Sequence, residues 1–445
     1  MTKDKKSFDI ILLIILLSYF MILLDNSIIF TGTIKISQNL HLNQTELSWV
    51  TNAYSLTFGG FLLFGGRAGD IFGRKFIFQI GLFIFGLGSL LVSISQSATF
   101  IILSRAFQGI GSSFLAPTSL ALLMDNYKGH ARTKAVSYYG ATAGIGASIG
   151  LVIGGFFASL LSWRYGFFIN IPISIIMLIL SQKYLAKSET NTGSIDYIGT
   201  ITSLIGMIAL VYSIDGESYR LISFIIAVIS LAIFIYQEYI CKNPMMPLHL
   251  FKNGERLGAY VARFLFLGAM LSFWFLTPQI MQTELHFTPL MAGIGFFPLT
   301  IVNFFVAMKV AKLTLRFGNG RLLAIGLSIT LVGMLLVSFF SSHLGYFIGI
   351  AIPMVLLGIG QGLSLSPLTI AGIAHTEAEE AGAASDIVNT VHQIGGSVGL
   401  SIIIAITGLF SHNTYNIGML IGTGFLFIAL MFTIFLIIPS EKKSA

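Results

Sequence analysis

The chain has 445 residues, 55% hydrophobic and 10% charged, with a mean hydropathy of +0.88 and a formal net charge of +7. That composition is a polytopic membrane protein's and excludes a soluble globular domain. The positive charge does not point to nucleic acid, because Lys and Arg stand singly or in small groups between apolar runs; the single cysteine, Cys241, rules out internal disulfides and a cysteine metal cage.

Fourteen apolar runs of helical length follow one another, near 8–30, 47–66, 76–96, 99–123, 135–160, 166–185, 197–214, 221–240, 257–280, 290–311, 321–340, 345–370, 384–410 and 416–438. The first is too long for a signal-peptide core and lacks a small-residue cleavage site after it, so it is expected to remain as a span. Late in that run stands Asp25, a carboxylate at a depth where a charge costs roughly 2.5–3.5 kcal/mol and needs a polar partner. It is either a structural acid closing a helix–helix hydrogen bond or a proton site whose charge state drives a cycle. Glu46 opens span 2 at the outer surface, as an N-terminal carboxylate or a proton entry point.

Of the 25 Lys and Arg, only Lys35, Arg164 and Arg220 fall in outer segments and only Arg105 and Arg263 within spans, leaving twenty for the inner segments. The positive-inside bias therefore predicts cytoplasmic termini. Connections are short, and no soluble domain fits between them. The longest inner segments are near 186–196 and 241–256, the second broken by Asn243-Pro244 and Pro247. Spans 7 and 8, joined by the polar outer turn Asp215-Gly216-Glu217-Ser218, stand between two blocks of six. The expected organisation is an all-α integral membrane protein: an N-terminal six-helix bundle (1–190), two additional transmembrane helices (191–242) and a C-terminal six-helix bundle with a short tail (243–445). A repeated six-helix block with a site at the interface is an architecture of secondary transporters.

Depth arithmetic links Asp25 to Arg105. Each lies about seven or eight residues inside the outer end of its span, which at 1.5 Å per residue is on the order of 10–12 Å below the outer face. Desolvation favours the protonated acid and a nearby guanidinium favours the carboxylate; a proton carrier needs that compromise. Gln108 and Ser112 share the helix face of Arg105 and are expected to line a substrate cavity, as are Asn389 and Gln393; Tyr54 and Trp274 suit the same cavity or fill a helix interface. Asp386 shares a face of span 13 with Asn389 and Gln393, and is a second proton site or a helix N-terminal acid favoured by the dipole. His392 is expected to satisfy a local hydrogen bond.

Several stretches then carry a resemblance. Gly66-Arg67-Ala68-Gly69-Asp70-Ile71-Phe72-Gly73-Arg74-Lys75 resembles the inner-loop signature of the major facilitator superfamily, matching at Gly66, Asp70, Gly73, Arg74 and Lys75 and departing at Ala68, Gly69 and Ile71. Physically, glycines permit a tight turn, and Asp70 can pair with Arg74 in a gate at the inner rim or cap a helix end. Arg105-Ala106-Phe107-Gln108-Gly109-Ile110-Gly111 is similar to the same family's R-x-x-q-G-x-g element. Gly146, Gly150, Gly154 and Gly155 are similar to the glycine motif of drug:proton antiporters, with Leu151 where proline is usual. Asp25 with its neighbours, Trp163 to Pro172, Phe287 to Gly293 and Asn389 to Gly396 resemble the fourteen-span drug:proton antiporter branch, with Ser27 in place of Thr and His392 where arginine is commoner.

The resemblance implies a major facilitator fold and proton-coupled multidrug efflux by alternating access. Asp25 and Arg105, with Asp386 and Glu46 as further candidates, would couple protons; Gly66, Asp70, Gly73, Arg74 and Lys75 would gate. The span 5 glycines read as small-residue packing against a helix of the other half. The expected cargo is small-molecule drugs or dyes, amphipathic and neutral, zwitterionic or monocationic, because few acids besides Asp25 lie deep in the spans. The alternative is a dedicated exporter of one metabolite or lipid precursor on the same scaffold. No cofactor is expected beyond the coupling proton, and the partners are membrane lipids rather than nucleic acid, around a monomer in the bacterial cytoplasmic membrane. An enzyme is disfavoured by the lack of a metal-spaced cluster, nucleotide loop or Ser-His-Asp set, and a channel by two asymmetric halves around one buried acid.

Overall fold

A computed structural model describes residues 2–188, 190, 195–340, 342–377 and 380–444; for 2–9, 143–144, 342 and 442–444 it describes the backbone only. The inner connector expected at 186–196 thus lies partly outside the described residues, as do the side chains of Lys3, Lys5, Lys6, Lys442 and Lys443.

Fourteen long helices run in chain order: α1 (Thr2–Leu40), α2 (Gln44–Phe72), α3 (Arg74–Ser93), α4 (Ala98–Asn126), α5 (Gly129–Leu160), α6 (Trp163–Tyr184), α7 (Tyr197–Asp215), α8 (Arg220–Ile240), α9 (Gly254–Thr283), α10 (Pro289–Ala307), α11 (Asn319–Phe340), α12 (Phe347–Gly372), α13 (Ala381–Thr407) and α14 (Thr414–Glu441). Among the described residues, thirteen of these are long and apolar enough to cross a membrane. The remaining one, α2, has 29 residues but a polar stripe, and Ser48, Thr51, Asn52, Ser55 and Thr57 all turn into the protein. Its polarity is that of a span facing protein rather than lipid. A short helix, Val310–Phe317, lies between α10 and α11 and carries Lys312 and Arg316.

Helix α1 continues ten residues beyond the run that ends at Phe30, because Thr31 and Thr33 return their hydroxyls to the carbonyls of Ile28 and Phe30 and stay buried. Lys35 is therefore helical. Two spans are broken: α6 at Ile169 and α10 around Gly295. Pro172 has no N–H to return to the carbonyl of Phe168, and Pro298 none for Ile294, so the hydrogen-bond ladder of each helix is interrupted there.

Helices α2 and α3 both pack on α4, and α1 packs on α5; in the second half α9 packs on α13 and α14, and α11 on α12. The two sets meet along two seams, α2 against α13 and α5 against α10. Helix α7 pairs with α8 and also lies on both α2 and α13, with Val211 buried beside Leu56 and Val398. The largest apolar core runs through both sets, from Leu24 and Ile28 through Phe266 and Phe273 to Leu400.

Candidate functional site

Asp25 and Arg105 meet. Both side chains are fully buried, with Arg105 Nη1 2.5 Å from Asp25 Oδ2. The same Nη1 donates to Gln108 Oε1 at 2.6 Å, and Nε donates to the Val50 carbonyl at 3.1 Å. The other carboxylate oxygen, Asp25 Oδ1, accepts from Gln108 Nε2 at 2.8 Å and Asn170 Nδ2 at 3.1 Å. Ser89 Oγ ties Gln108 and Asn170 from behind. The guanidinium carbon stands 4.2 Å from the centre of the Tyr54 ring and 5.6 Å from that of Phe167. Nη2 has no hydrogen-bond acceptor, and these aromatic faces are the cation's remaining partners. Five helices converge here, and the break in α6 at Ile169 immediately precedes Asn170.

The Arg105 stretch reads as packing as well as charge. A side chain on Gly109 would lie 2.2 Å from Thr57 Oγ1, and one on Gly111 2.4 Å from the Phe85 amide nitrogen. Glycine therefore lets α2 and α3 close on α4 around the guanidinium.

Tyr54, Gln108 and Ser112 do not line an open cavity: all three are fully buried. The Tyr54 and Ser112 hydroxyls bond each other at 2.6 Å, and Gln108 is spent on the ion pair. Depth on a polar helix face signalled a cavity from sequence, but the ion pair needs those groups as its own shell. Trp274 is half-buried, stacked on Phe296 at 5.1 Å and 6.3 Å from Phe30, so it does join the two halves through aromatic rings. On α13, Asn389 is exposed and Gln393 half-buried.

The α5 glycines divide. Side chains on Gly146, Gly150 and Gly154 would meet Leu23, Ser27 and Ile28 of α1, within the same half, at 2.9, 2.6 and 2.7 Å. Only Gly155 faces the other half, 2.5 Å from the Pro289 carbonyl. The correction follows from helical spacing: residues four apart share one face, which is the α1 face, and Gly155 is one position off it. Leu151 is fully buried, and its carbonyl would lie 2.4 Å from a side chain on Gly293. The Phe287 to Gly293 stretch thus contributes a backbone-close contact between halves.

At the end carrying both termini, Arg74 Nη2 pairs with Asp70 at 3.0 Å and Nη1 pairs with Asp125 of α4. Lys75 Nζ donates to the carbonyls of Gln182 and Leu185 at 3.1 and 2.7 Å. Gly73, at φ +96°, makes the turn that only glycine adopts easily. Gly66 is not in a turn. It lies inside α2, where a side chain would come 2.7 Å from Asp386 Oδ2. Asp386 is thus packed against the same motif across the α2–α13 seam, five residues beyond the start of α13 at Ala381. Glu46 stands apart, in a capping box: its amide donates to Asn43 Oδ1 at 2.8 Å and its carboxylate accepts the Asn43 amide at 3.0 Å. That geometry fits an N-terminal acid.

Three features were missed from sequence. Asn170 joins the cluster, and its place beside a helix-breaking Pro172 was the available signal. Asp215 is not part of a polar turn: it ends α7, is 2% exposed, and accepts from Trp49 Nε1 at 3.1 Å and Ser401 Oγ at 2.7 Å. Ser401 in turn accepts from Asn52 Nδ2 at 2.8 Å. Finally, Arg263 of α9 donates to His392 Nδ1 of α13 at 3.2 Å, which gives His392 its local partner.

Residues 15–400 match the family described as Major Facilitator Superfamily. Among curated relatives, the chain is 33% identical over 393 residues to "Uncharacterized MFS-type transporter EfpA" of Mycobacterium tuberculosis, covering 86% of this chain and 74% of that one. It is 31% identical to "Cephamycin export protein CmcT" of Amycolatopsis lactamdurans, covering 88% and 83%. A solved structure of the peptide transporter POT shares the fold at a TM-score of 0.72 and 13% identity, covering 98% of this chain and 94% of that one. These matches and the multi-pass helical bundle make the chain a transport protein of the cell membrane rather than an enzyme. It belongs to the Major Facilitator Superfamily.

Proposed function

We propose that this protein is a proton-coupled exporter of small amphipathic drugs, working by alternating access with both termini in the cytoplasm. Its functional units are then two six-helix bundles, 1–190 and 243–445, with 191–242 between them, in a monomer. The observation that carries the reading is the buried Asp25–Arg105 pair and the polarity of its shell. Relatives that export an antibiotic support the direction of transport.

The shell accounts for coupling. Every group that faces Asp25 is a donor: Arg105 Nη1, Gln108 Nε2 and Asn170 Nδ2. A proton added to either carboxylate oxygen would set O–H against N–H. Gln108 cannot turn its amide over, because Oε1 already receives Arg105. Asn170 can, since its Oδ1 has no partner. Protonation therefore turns Asn170 and releases part of the hold on Arg105, coupling charge at α1 to the packing of α4 and α6. The loss of a buried counter-charge is the driving change.

The test is dye efflux from proteoliposomes under an imposed pH gradient, then with the gradient collapsed, for wild type, Asp25→Glu and Asp25→Asn, each normalised to folded protein. Gradient-dependent efflux that survives in Asp25→Glu and is lost in Asp25→Asn is the expected result. Near wild-type, gradient-dependent efflux by Asp25→Asn would sink the mechanism.

A further inference from the structure

Arg263 is a second intramembrane guanidinium, and unlike Arg105 it has no acid partner among the described residues. It lies nine residues beyond Gly254 at the start of α9 and is 6% exposed. Nη1 donates to Thr369 Oγ1 at 2.9 Å and to the Leu365 carbonyl at 3.3 Å, Nη2 donates to His392 Nδ1, and Nε has no acceptor. Among the described residues no carboxylate is within ion-pair distance of it. Arg256, one span-end lower, is held by the carbonyls of Leu250, Ala374 and His375, beside Glu255. Arg263 is thus a cation kept inside a span with its donors incompletely used, which is costly unless an anion visits.

The contact to His392 fixes a second donor. A guanidinium N–H can only donate, so Nδ1 of His392 is the acceptor, the imidazole is neutral, and its proton is on Nε2. From the first half, α1 lies against α9, and its Tyr19 stacks on Tyr139 of α5, with ring centroids 4.0 Å apart and planes 11° apart. Tyr19, Tyr139 and His392 are each half-buried, whereas Asp25, Arg105, Gln108 and Asn170 are all fully buried. Two donors from one half and two stacked rings from the other suit a planar aromatic molecule that carries a carboxylate.

We infer that Arg263 and His392 bind the carboxylate of an aromatic acid or zwitterion, with the Tyr19–Tyr139 pair receiving its ring system. The inference rests on the export reading only in treating that molecule as cargo. It narrows the expected zwitterionic class and assigns its anion to the half opposite Asp25.

The test uses full-length protein in nanodiscs and fluorescence anisotropy with two matched dyes: rhodamine 110, which has a free carboxylate, and rhodamine 123, its methyl ester. Wild type is expected to bind the acid about tenfold or more tightly than the ester, the gain of a charge-assisted contact. Arg263→Gln should lose that preference by weakening the acid alone, with ester binding unchanged as the control for folding. An equal preference in wild type and Arg263→Gln, or no preference in wild type, overturns the assignment. Should Arg263→Gln lose the ester too, Arg263→Lys decides: preference retained supports the site, and preference abolished with the ester still bound refutes it. Failure of wild type to export either dye despite selective binding of the acid would sink the export reading and leave the site standing.

Discussion

Replacing Asp25 by Asn removes one charge from a shell built to receive it. The amide oxygen can still accept from Arg105 Nη1, but the new NH2 faces Gln108 Nε2 and Asn170 Nδ2, both donors. Turning Asn170 relieves one clash; Gln108 is locked by Arg105 and Ser89. The guanidinium is left buried without a counter-charge, a state that costs about 3–5 kcal/mol. Arg105→Met should cost about as much, because Asp25 then keeps only two neutral donors. Losing both charges removes the cause of each penalty, so the double variant should fall short of the sum by about 0.5–3 kcal/mol. The assay is reversible unfolding in mixed micelles followed by tryptophan emission. Trp163 is a suitable reporter, since its ring lies 6.1 Å from Phe167, which flanks the guanidinium. Strict additivity, or an Asp25→Asn variant as stable as wild type, would refute the account of the cluster.

Other expectations follow from single contacts. Gly65→Ala places a methyl 2.2 Å from the Ser113 carbonyl and should destabilise by about 1–3 kcal/mol. Gly140→Ala meets nothing within 4 Å and should be neutral or stabilising by about 0.5–1 kcal/mol; the two midpoints measured in one micelle system check the pair. Glu46→Gln preserves the capping box, and Glu46→Ala should cost roughly 0.3–1 kcal/mol while leaving gradient-driven efflux intact; loss of coupling in Glu46→Gln would return Glu46 to the proton path. Asp215→Ala strands the Trp49 indole N–H and the Ser401 hydroxyl, at about 1–3 kcal/mol, and should shift the tryptophan emission to the red as α7 loosens. Unchanged emission and stability would contradict the buried placement of Asp215.

The order and number of spans could be read from apolar runs because lipid imposes length and composition on every crossing. The depth match of Asp25 and Arg105 was legible for a similar reason: 1.5 Å per residue converts position into height. Direction around the helix axis was not legible to the same degree. Gly146, Gly150 and Gly154 announced a close helix contact, yet the identity of the partner, α1 and not a helix of the other half, depends on how the bundle closes. Tyr54 and Ser112 were read as cavity-lining because a polar side chain in a span must meet either water or a partner, and composition does not distinguish the two. The sequence places Arg263 within a span, but that no carboxylate among the described residues pairs with it emerges only from three-dimensional placement.

Asp215 bears on why two helices stand between the halves. At the end opposite the termini, the α5–α10 seam is made of backbone approaches, Gly155 to Pro289 and Gly293 to Leu151, and a hydrogen bond from the Leu290 amide to Ser159 Oγ. The α2–α13 seam is different. There Asn52 donates to Ser401, Ser401 to Asp215, and Trp49 to Asp215, so one carboxylate of α7 joins α2 and α13 through polar bonds buried from water. Parting α5 from α10 exposes mostly apolar surface and carbonyls that helices already satisfy. Parting α2 from α13 strips a buried carboxylate of a donor, which costs more than the loss of a neutral bond. Helix α7 therefore makes the two seams unequal: if the halves part as the proposed alternating access requires, the α2–α13 seam beside the additional helices is the costlier one to open.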